Sequence, residues 1–162
     1  MKKIFLLFVL IGLVLSWPIV ATAQKERVAR IDCSGLAPML DSGWKLVNPN
    51  QKNEAFEFSL SNVKLVPCGS RENKVNGKAL LSELKEKAFN AYLLEFLLKN
   101  QNLIPTEWQG KTIFFFGTTY WDNSTPPLIA ILKMKFYDGN WESGASYLDD
   151  DFDGGDAIVK ND

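Results

Sequence analysis

A short turn sequence, Asp138-Gly139, constrains the fold of this chain more than any other feature. Asp-Gly readily takes the positive backbone angles of a two-residue type I′ turn, which joins two antiparallel strands in one register. That register places Phe136 opposite Trp141 on one face. It places Lys135 opposite Glu142 on the other face, and a slip by one residue would mix the apolar and charged sets. The other predicted pairs are Tyr137 with Asn140, Leu132 with Ala145, and Ala130 with Tyr147.

The chain before the hairpin adds further strands and a helix. Apolar residues recur at helical spacing from Leu80 to Leu98, which predicts one helix over about 78–100. The run Ile113–Phe116 is apolar at every position, which is typical of a central strand covered on both faces. These patterns predict an α+β fold: an antiparallel sheet of about five to seven strands, one long helix packed on one face, and a C-terminal β-meander. The other predicted strands span 28–31, 44–47, 55–66 and 111–121.

The N-terminus has the pattern of a bacterial signal peptide. A pair of lysines precedes the apolar run Ile4–Leu15, and the small residues Ala21-Thr22-Ala23 follow where a signal peptidase cleaves. We therefore expect residues 1–23 to be removed and residues 24–162 to form a single exported globular domain. Its expected location is the periplasm or the outside of the cell. The alternative is an uncleaved anchor, because the apolar residues resume before the cleavage region.

The two cysteines of the chain, Cys33 and Cys68, both belong to the part expected to be exported. An even number of cysteines in an oxidising compartment favours a disulfide bond, so we expect these two to be joined. The alternative is a redox or metal-binding pair. The sequence disfavours it, because no Cys-x-x-Cys motif is present and the chain has no histidine to complete a zinc site.

Composition excludes several classes of function. Without histidine, Ser-His-Asp and Cys-His catalytic arrangements cannot be built, and no phosphate-binding glycine motif is present. The net charge of −1 at pH 7 gives no basic excess for nucleic acid. An enzyme would have to use carboxylates, as glycosidases do, but the spacing of Glu107, Asp138 and Glu142 singles out no pair. We therefore expect neither catalysis nor a resident cofactor.

The last part of the chain is rich in aspartate. Asp149, Asp151 and Asp153, followed by Gly154, match the first half of an EF-hand loop, which supplies oxygen ligands to calcium on alternate residues. Lys160 stands where the bidentate glutamate of such a loop belongs. The pattern therefore suggests weak calcium binding, with a solvated acidic turn as the alternative. In both interpretations residues 149–162 form an acidic C-terminal tail.

Aromatic and aliphatic residues near the end of the strand over 111–121 suggest a binding surface. Tyr120 and Trp121 are neighbours on a strand, so they point to opposite faces. One of them should share the face away from the helix with Ile129 and Ile131. These four residues are the predicted partner-binding patch. The alternative is a second core layer packed against the N-terminal strands, since large exposed apolar patches are uncommon on monomers.

Taken together, the sequence predicts an exported, non-enzymatic binding protein whose partner is a protein or glycan of the cell envelope. It predicts no nucleic acid partner, and contact with the membrane only through the signal peptide before cleavage. Two alternatives stay open. One is a carboxylate-based hydrolase of cell-envelope or polysaccharide material, and the other is a calcium-stabilised structural or adhesive domain.

Overall fold

The computed structural model describes residues 28–35, 37–38, 43–47, 54–84 and 86–161. The predicted signal peptide lies outside the described residues. The strands are β1 (Ala29–Ile31), β2 (Lys45–Leu46), β3 (Phe56–Phe58), β4 (Val63–Pro67), β5 (Val75–Asn76), β6 (Thr112–Trp121), β7 (Ile129–Tyr137), β8 (Asn140–Tyr147), β9 (Asp151–Phe152) and β10 (Asp156–Lys160). The helices are α1 (Gly77–Leu84) and α2 (Ala91–Lys99), and short 3₁₀ turns span Leu60–Asn62, Gln101–Leu103 and Thr106–Trp108.

Six strands form the main sheet of this α+β fold. Their order is β4-β10-β6-β7-β8, with β2 paired to the last two residues of β6. The strand number agrees with the prediction. The prediction of a purely antiparallel sheet is wrong at one pair, because β10 runs parallel to β6. Two small sheets, β1 with β3 and β5 with β9, complete the strand pairing of the described residues.

The predicted hairpin is confirmed. Asp138 and Gly139 have backbone φ angles of 46° and 84°, as a type I′ turn requires. Phe136 lies opposite Trp141 with ring centroids 5.4 Å apart, and every other predicted pair of β7 and β8 is present in the same register. The local turn chemistry and the alternation of apolar residues therefore determine this part of the meander.

The predicted long helix is wrong, because the segment forms two short helices, α1 and α2, with a non-helical stretch over 86–90. Asn90 ends this stretch as the N-cap of α2, since its side-chain oxygen accepts a hydrogen bond from the Tyr92 N–H at 3.2 Å. Phe89 cannot belong to a helix, because its N–H donates to the Ile158 carbonyl of β10 at 3.0 Å. Strand contacts from distant parts of the chain therefore replace the helical hydrogen bonds here.

The stretch between the helices fills a gap in the main sheet. β10 pairs with β6 only at Asp156–Ala157. Beyond that point Phe89 lies between the two strands, and its carbonyl accepts a hydrogen bond from the Gly117 N–H at 3.0 Å. A Cβ atom added at Gly117 would lie 2.8 Å from the backbone carbonyl oxygens of Ala88 and Phe89. The backbone of Ala88 and Phe89 can therefore lie this close to β6 only because residue 117 is glycine.

The main sheet is covered on both faces, as the apolar run Ile113–Phe116 predicts. Alternate residues of this run belong to two separate buried clusters. One cluster lies under α2 and includes residues of β1 and β3. The other lies under α1 and includes Leu148 and Phe152. The second covering layer is thus built from α1 and the C-terminal segment, and not from the N-terminal strands that the sequence favoured.

The described part of the predicted acidic tail, residues 149–161, is built into the fold. Its strand β10 lies between β4 and β6 in the middle of the main sheet, and Ala157, Ile158 and Val159 are buried. Phe152 of β9 is also buried. Apolar residues between the aspartates therefore anchor this segment, and the aspartates at 149, 150, 151 and 153 remain exposed.

The predicted disulfide bond between Cys33 and Cys68 is not present, because both cysteines are free and buried. Cys33 belongs to the cluster under α2, whereas Cys68 belongs to the cluster under α1. The sheet separates the two clusters, so the side chains cannot meet without backbone movement. The number of cysteines and the expected compartment carry no information about the face of the sheet to which each side chain points.

We expect neither thiol to react with a water-soluble disulfide reagent while the protein is folded, and both to react after unfolding. Burial raises the pKa of Cys33 and raises the pKa of Cys68 to about 12, so the reactive thiolate is scarce as well as shielded. Counting thiols in denaturant without reductant, beside a reduced control, is the measurement. An absence of thiols in the unreduced sample would show that the two cysteines are bonded.

Candidate functional site

An open cleft lies at the end of the main sheet, where β6 ends and the loop to β7 begins. Its volume is about 620 Å³. Lys45 of β2 stands directly opposite Trp121 in the strand register, so the two side chains lie on the same face of the sheet and both line the cleft. The described residues that line the cleft are Lys45, Trp121, Asp122, Asn123, Ser124 and Pro127.

Asp122 organises the loop that forms one wall of the cleft. Its Oδ1 atom accepts hydrogen bonds from the Ser124 N–H at 3.0 Å, from the Ser124 hydroxyl, and from the Leu128 N–H at 2.9 Å. The Asp122 N–H in turn donates to the Leu128 carbonyl at 3.1 Å. These bonds close the loop on itself, so its polar side chains are held in place before any ligand arrives.

The hydrogen bonds also fix the charge of this wall. Hydrogen bonds to the carboxylate lower the pKa of Asp122 from 3.8 to about 2. The bond from the Ser124 hydroxyl has the largest effect, and the bond from the Leu128 N–H has the next largest. The same carboxylate raises the pKa of the neighbouring Tyr147 phenol. Asp122 is therefore an anion at neutral pH, and its role is to hold the loop together rather than to exchange protons with a substrate.

The lowered pKa of Asp122 predicts a pH dependence of stability. Its folded pKa lies below its ordinary value, so the ionised carboxylate stabilises the fold fully above about pH 4, and this contribution is lost as the pH falls toward 2. Asp122→Asn should therefore be less stable than the wild type near pH 6, with a difference that shrinks toward pH 2. Urea unfolding at both pH values measures it, and a difference independent of pH would contradict the assignment.

The structure divides the predicted patch. Trp121, Ile129 and Ile131 do lie on one face of the sheet, since they are paired or alternate along β6 and β7. Ile131, however, is fully buried in the cluster under α1. Tyr120 is fully buried on the opposite face, where its hydroxyl donates to the Pro38 carbonyl. Tyr120 and Ile131 are therefore core residues, and the half-buried Trp121 and Ile129 keep accessible surface.

Asn123 connects the loop to the segment that carries Lys45. Its side-chain amide occupies the space beside Gly43 into which a Cβ atom added at that residue would project. Trp44, next to Lys45, packs on the other face of the sheet against Tyr120, with ring centroids 6.3 Å apart. The β2 segment is thus held from both sides, and Lys45 is positioned as the neighbour of Trp121.

The three aspartates predicted to bind calcium do not converge in the structure. Asp149 forms an ion pair with Lys78 of α1, and Asp151 lies in β9 opposite Asn76. Asp153 follows β9 and is exposed. Within the described ranges no three carboxylate or thiol side chains are grouped in a way that could hold a metal ion. The calcium site stays a prediction from the sequence pattern alone.

We expect millimolar calcium to leave the melting temperature unchanged, because the backbone around Asp149 and Asp151 is already used by β5, α1 and β9. The measurement is a thermal melt with calcium or with a chelator, and magnesium serves as the control for ionic strength. A rise in melting temperature specific to calcium would support the sequence pattern, because a ligand that binds the folded state stabilises it.

The cleft does not bring together the pair of carboxylates that a glycosidase requires. Asp122 is the one carboxylate among its described lining residues, and its Oδ1 atom is occupied by donors of the loop. Asp138 and Glu142 lie in the β7–β8 hairpin, and Glu107 lies in the 3₁₀ turn over Thr106–Trp108. Besides the Asp122 carboxylate, the cleft lining contains the indole of Trp121, the ammonium group of Lys45 and the amide of Asn123.

Sequence reasoning identified Trp121 but missed Lys45, Asn123 and the loop around Asp122. Lys45 reaches the site only because β2 pairs with β6, and nothing local in the sequence indicates that pairing. The loop did carry a signal, since an Asp followed two residues later by Ser is typical of a turn closed by side-chain hydrogen bonds.

Comparison of the chain with known protein families, with curated proteins and with solved structures gave no match. The site is therefore interpreted from its own geometry. No helix in the described part of the chain combines the length and the apolar character needed to cross a membrane.

Proposed function

We propose that the protein is an exported, non-catalytic binding protein that holds an acidic glycan of the cell envelope in the Trp121 cleft. The observation that carries this proposal is the pairing of the half-buried Trp121 with Lys45 across neighbouring strands. A half-buried indole on a strand offers a fixed flat surface, which costs little conformational entropy when a ligand covers it.

A sugar ring matches this site in shape and chemistry. Its apolar C–H face packs on an aromatic ring, while its hydroxyl groups require the kind of polar side chains that the loop supplies around Asn123 and Ser124. Lys45 is exposed, and its ammonium group adds a preference for a carboxylate, phosphate or sulfate substituent on the glycan. The self-closed loop around Asp122 keeps these groups in position.

Two features support binding rather than turnover. The whole chain has no histidine, and the carboxylate at the cleft is held ionised by the loop and so is a poor general acid. Export is supported by the N-terminal pattern of Lys2, Lys3 and the apolar run Ile4–Leu15.

The proposal is tested by isothermal titration calorimetry of the purified protein with two oligosaccharides of equal length, one of uronic acids and one neutral. We expect the acidic oligosaccharide to bind more tightly. Trp121→Ala should weaken binding at least about tenfold, which corresponds to about 1.4 kcal/mol of binding free energy. Lys45→Ala should remove the preference for the acidic sugar, because it removes the cation.

Tyr137→Ala is the matched control, since Tyr137 is an aromatic side chain that is 66% exposed at the far end of the hairpin. This variant should bind like the wild type. Equal binding by Trp121→Ala, or binding of neither oligosaccharide, would contradict the proposal. Capture of an envelope protein through Trp121 without any glycan would instead assign the cleft to a protein partner.

A further inference from the structure

Tyr147 of β8 lies behind the Trp121 cleft, on the opposite face of the main sheet. In the strand register it stands opposite Ala130 of β7, and Ala130 stands opposite Tyr120 of β6. These three side chains form a row on the face under α2. Trp121 and Lys45 belong to the other face, because side chains alternate along a strand. Tyr147 is accordingly not among the described residues that line the cleft.

The Tyr147 ring reaches the segment that forms one wall of the cleft. The methyl side chain of Ala130 leaves room for the ring to extend across β7 toward Trp44. The rings of Tyr147 and Trp44 are stacked, with centroids 6.5 Å apart and planes inclined by 18°. Trp44 directly precedes Lys45 in the chain. The stack therefore holds, from behind, the segment that carries the cation of the cleft.

The Tyr147 hydroxyl lies beside the other wall, the loop closed by Asp122. Asp122 follows Trp121 at the end of β6, so alternation directs its side chain to the face of Tyr147. The Asp122 carboxylate is the main cause of the raised pKa of the Tyr147 phenol, as expected of neighbouring groups. Its Oδ1 atom accepts from the N–H groups of Ser124 and Leu128. One side chain thus lies against both walls.

We propose that Tyr147 is a positioning residue that sets the preference of the Trp121 cleft for acidic glycans from the opposite face of the sheet. This inference rests on the proposed function, which assigns that preference to Lys45. The Tyr147 ring holds the segment of Lys45, and its hydroxyl holds the loop around Asp122. Because both walls are fixed before a glycan arrives, less free energy is lost in ordering them.

Two substitutions separate the role of the ring from that of the hydroxyl. Tyr147→Phe keeps the stack on Trp44, so it should keep the preference for the acidic oligosaccharide. Tyr147→Leu removes the stack. An aromatic pair favours one arrangement over the alternatives by roughly two- to tenfold, and apparent affinity falls with the fraction of protein in the competent arrangement. Tyr147→Leu should therefore reduce the ratio of the two affinities by the same factor.

The first measurement is hydrogen exchange, followed by NMR, in the protein without glycan. The Val47 N–H reports on the β2 wall because it bonds to β6, and the Leu128 N–H reports on the loop because it bonds to the carboxylate. Tyr147→Leu should speed exchange at both amides, whereas Tyr147→Phe should speed it only at Leu128. The Phe89 N–H, which bonds to β10, should exchange as in the wild type, since a general loss of stability would speed all three.

The second measurement is calorimetry with the uronic acid and neutral oligosaccharides. Tyr147→Leu should lower the affinity for the acidic sugar more than that for the neutral sugar, and Tyr147→Phe should leave their ratio unchanged. Tyr137→Leu and Tyr137→Phe are the matched controls and should bind like the wild type, because Tyr137 is 66% exposed.

The possible failures are distinguishable. Equal loss of affinity for both sugars in Tyr147→Leu, or unchanged exchange at Val47 in that variant, overturns the role of Tyr147 and leaves the proposed function standing. Binding of neither sugar by the wild type overturns the proposed function, and the preference assigned to Tyr147 with it.

Discussion

Replacing Gly117 with alanine should lower the free energy of unfolding by about 2–4 kcal/mol, a large effect for one methyl group. The new Cβ atom would lie 2.8 Å from the carbonyl oxygens of Ala88 and Phe89. These are backbone atoms, and they are held by further bonds to β10, so neither can move aside cheaply. Urea unfolding followed by circular dichroism measures the loss.

The matched control is Gly154→Ala, because no atom lies within 4 Å of a Cβ added at Gly154. This substitution should change stability by less than about 0.5 kcal/mol. If Gly117→Ala proved as stable as Gly154→Ala, the stretch between α1 and α2 would not lie against β6. The observed break between the helices would then be in doubt.

Replacing Phe152 with alanine should cost about 3–5 kcal/mol, because it empties the centre of the cluster under α1. The Phe152 ring lies 4.8 Å from that of Phe114 and 5.7 Å from that of Phe116, measured between centroids. Gly77 also packs against it, with an added Cβ only 2.7 Å from the ring. Little can therefore move in to fill the space left by the ring.

Asp153→Ala is the control for this prediction, since Asp153 is the exposed next residue of the same acidic segment. Thermal and urea unfolding of the two variants should separate them clearly. Equal stability of Phe152→Ala and Asp153→Ala would mean that the acidic segment is a solvated tail, as the sequence suggested. A large difference would place the segment in the core.

The parts of the fold that the sequence predicted correctly depend on local chemistry. The Asp138-Gly139 turn and the alternation around it determine the hairpin, and the apolar run Ile113–Phe116 indicates a strand covered on both faces. The long helix could not be corrected from the sequence. Ala88 and Phe89 fit a helical pattern, but their backbone groups bond to strands that are far away along the chain.

The candidate site was predictable only in part, for the same reason. Alternation along β6 and β7 predicted that one of Tyr120 and Trp121 shares a face with Ile129 and Ile131, and the structure shows that this residue is Trp121. Which of these side chains remains accessible depends on the cover supplied by α1 and Leu148, and the sequence does not show where that cover ends. Lys45 lines the cleft because β2 pairs with β6, two strands that are far apart in the chain. No sequence pattern near Trp121 indicates this pairing.

Binding of the glycan at the Trp121 cleft is tested residue by residue in an NMR titration of the protein with the uronic acid oligosaccharide. We predict that the indole N–H signal of Trp121 shifts together with the backbone amide signal of Lys45. The signals of Trp108 and Trp141, each 6% exposed, should stay in place. Binding that shifts other signals and leaves that of Trp121 unchanged would show that the glycan binds elsewhere on the protein.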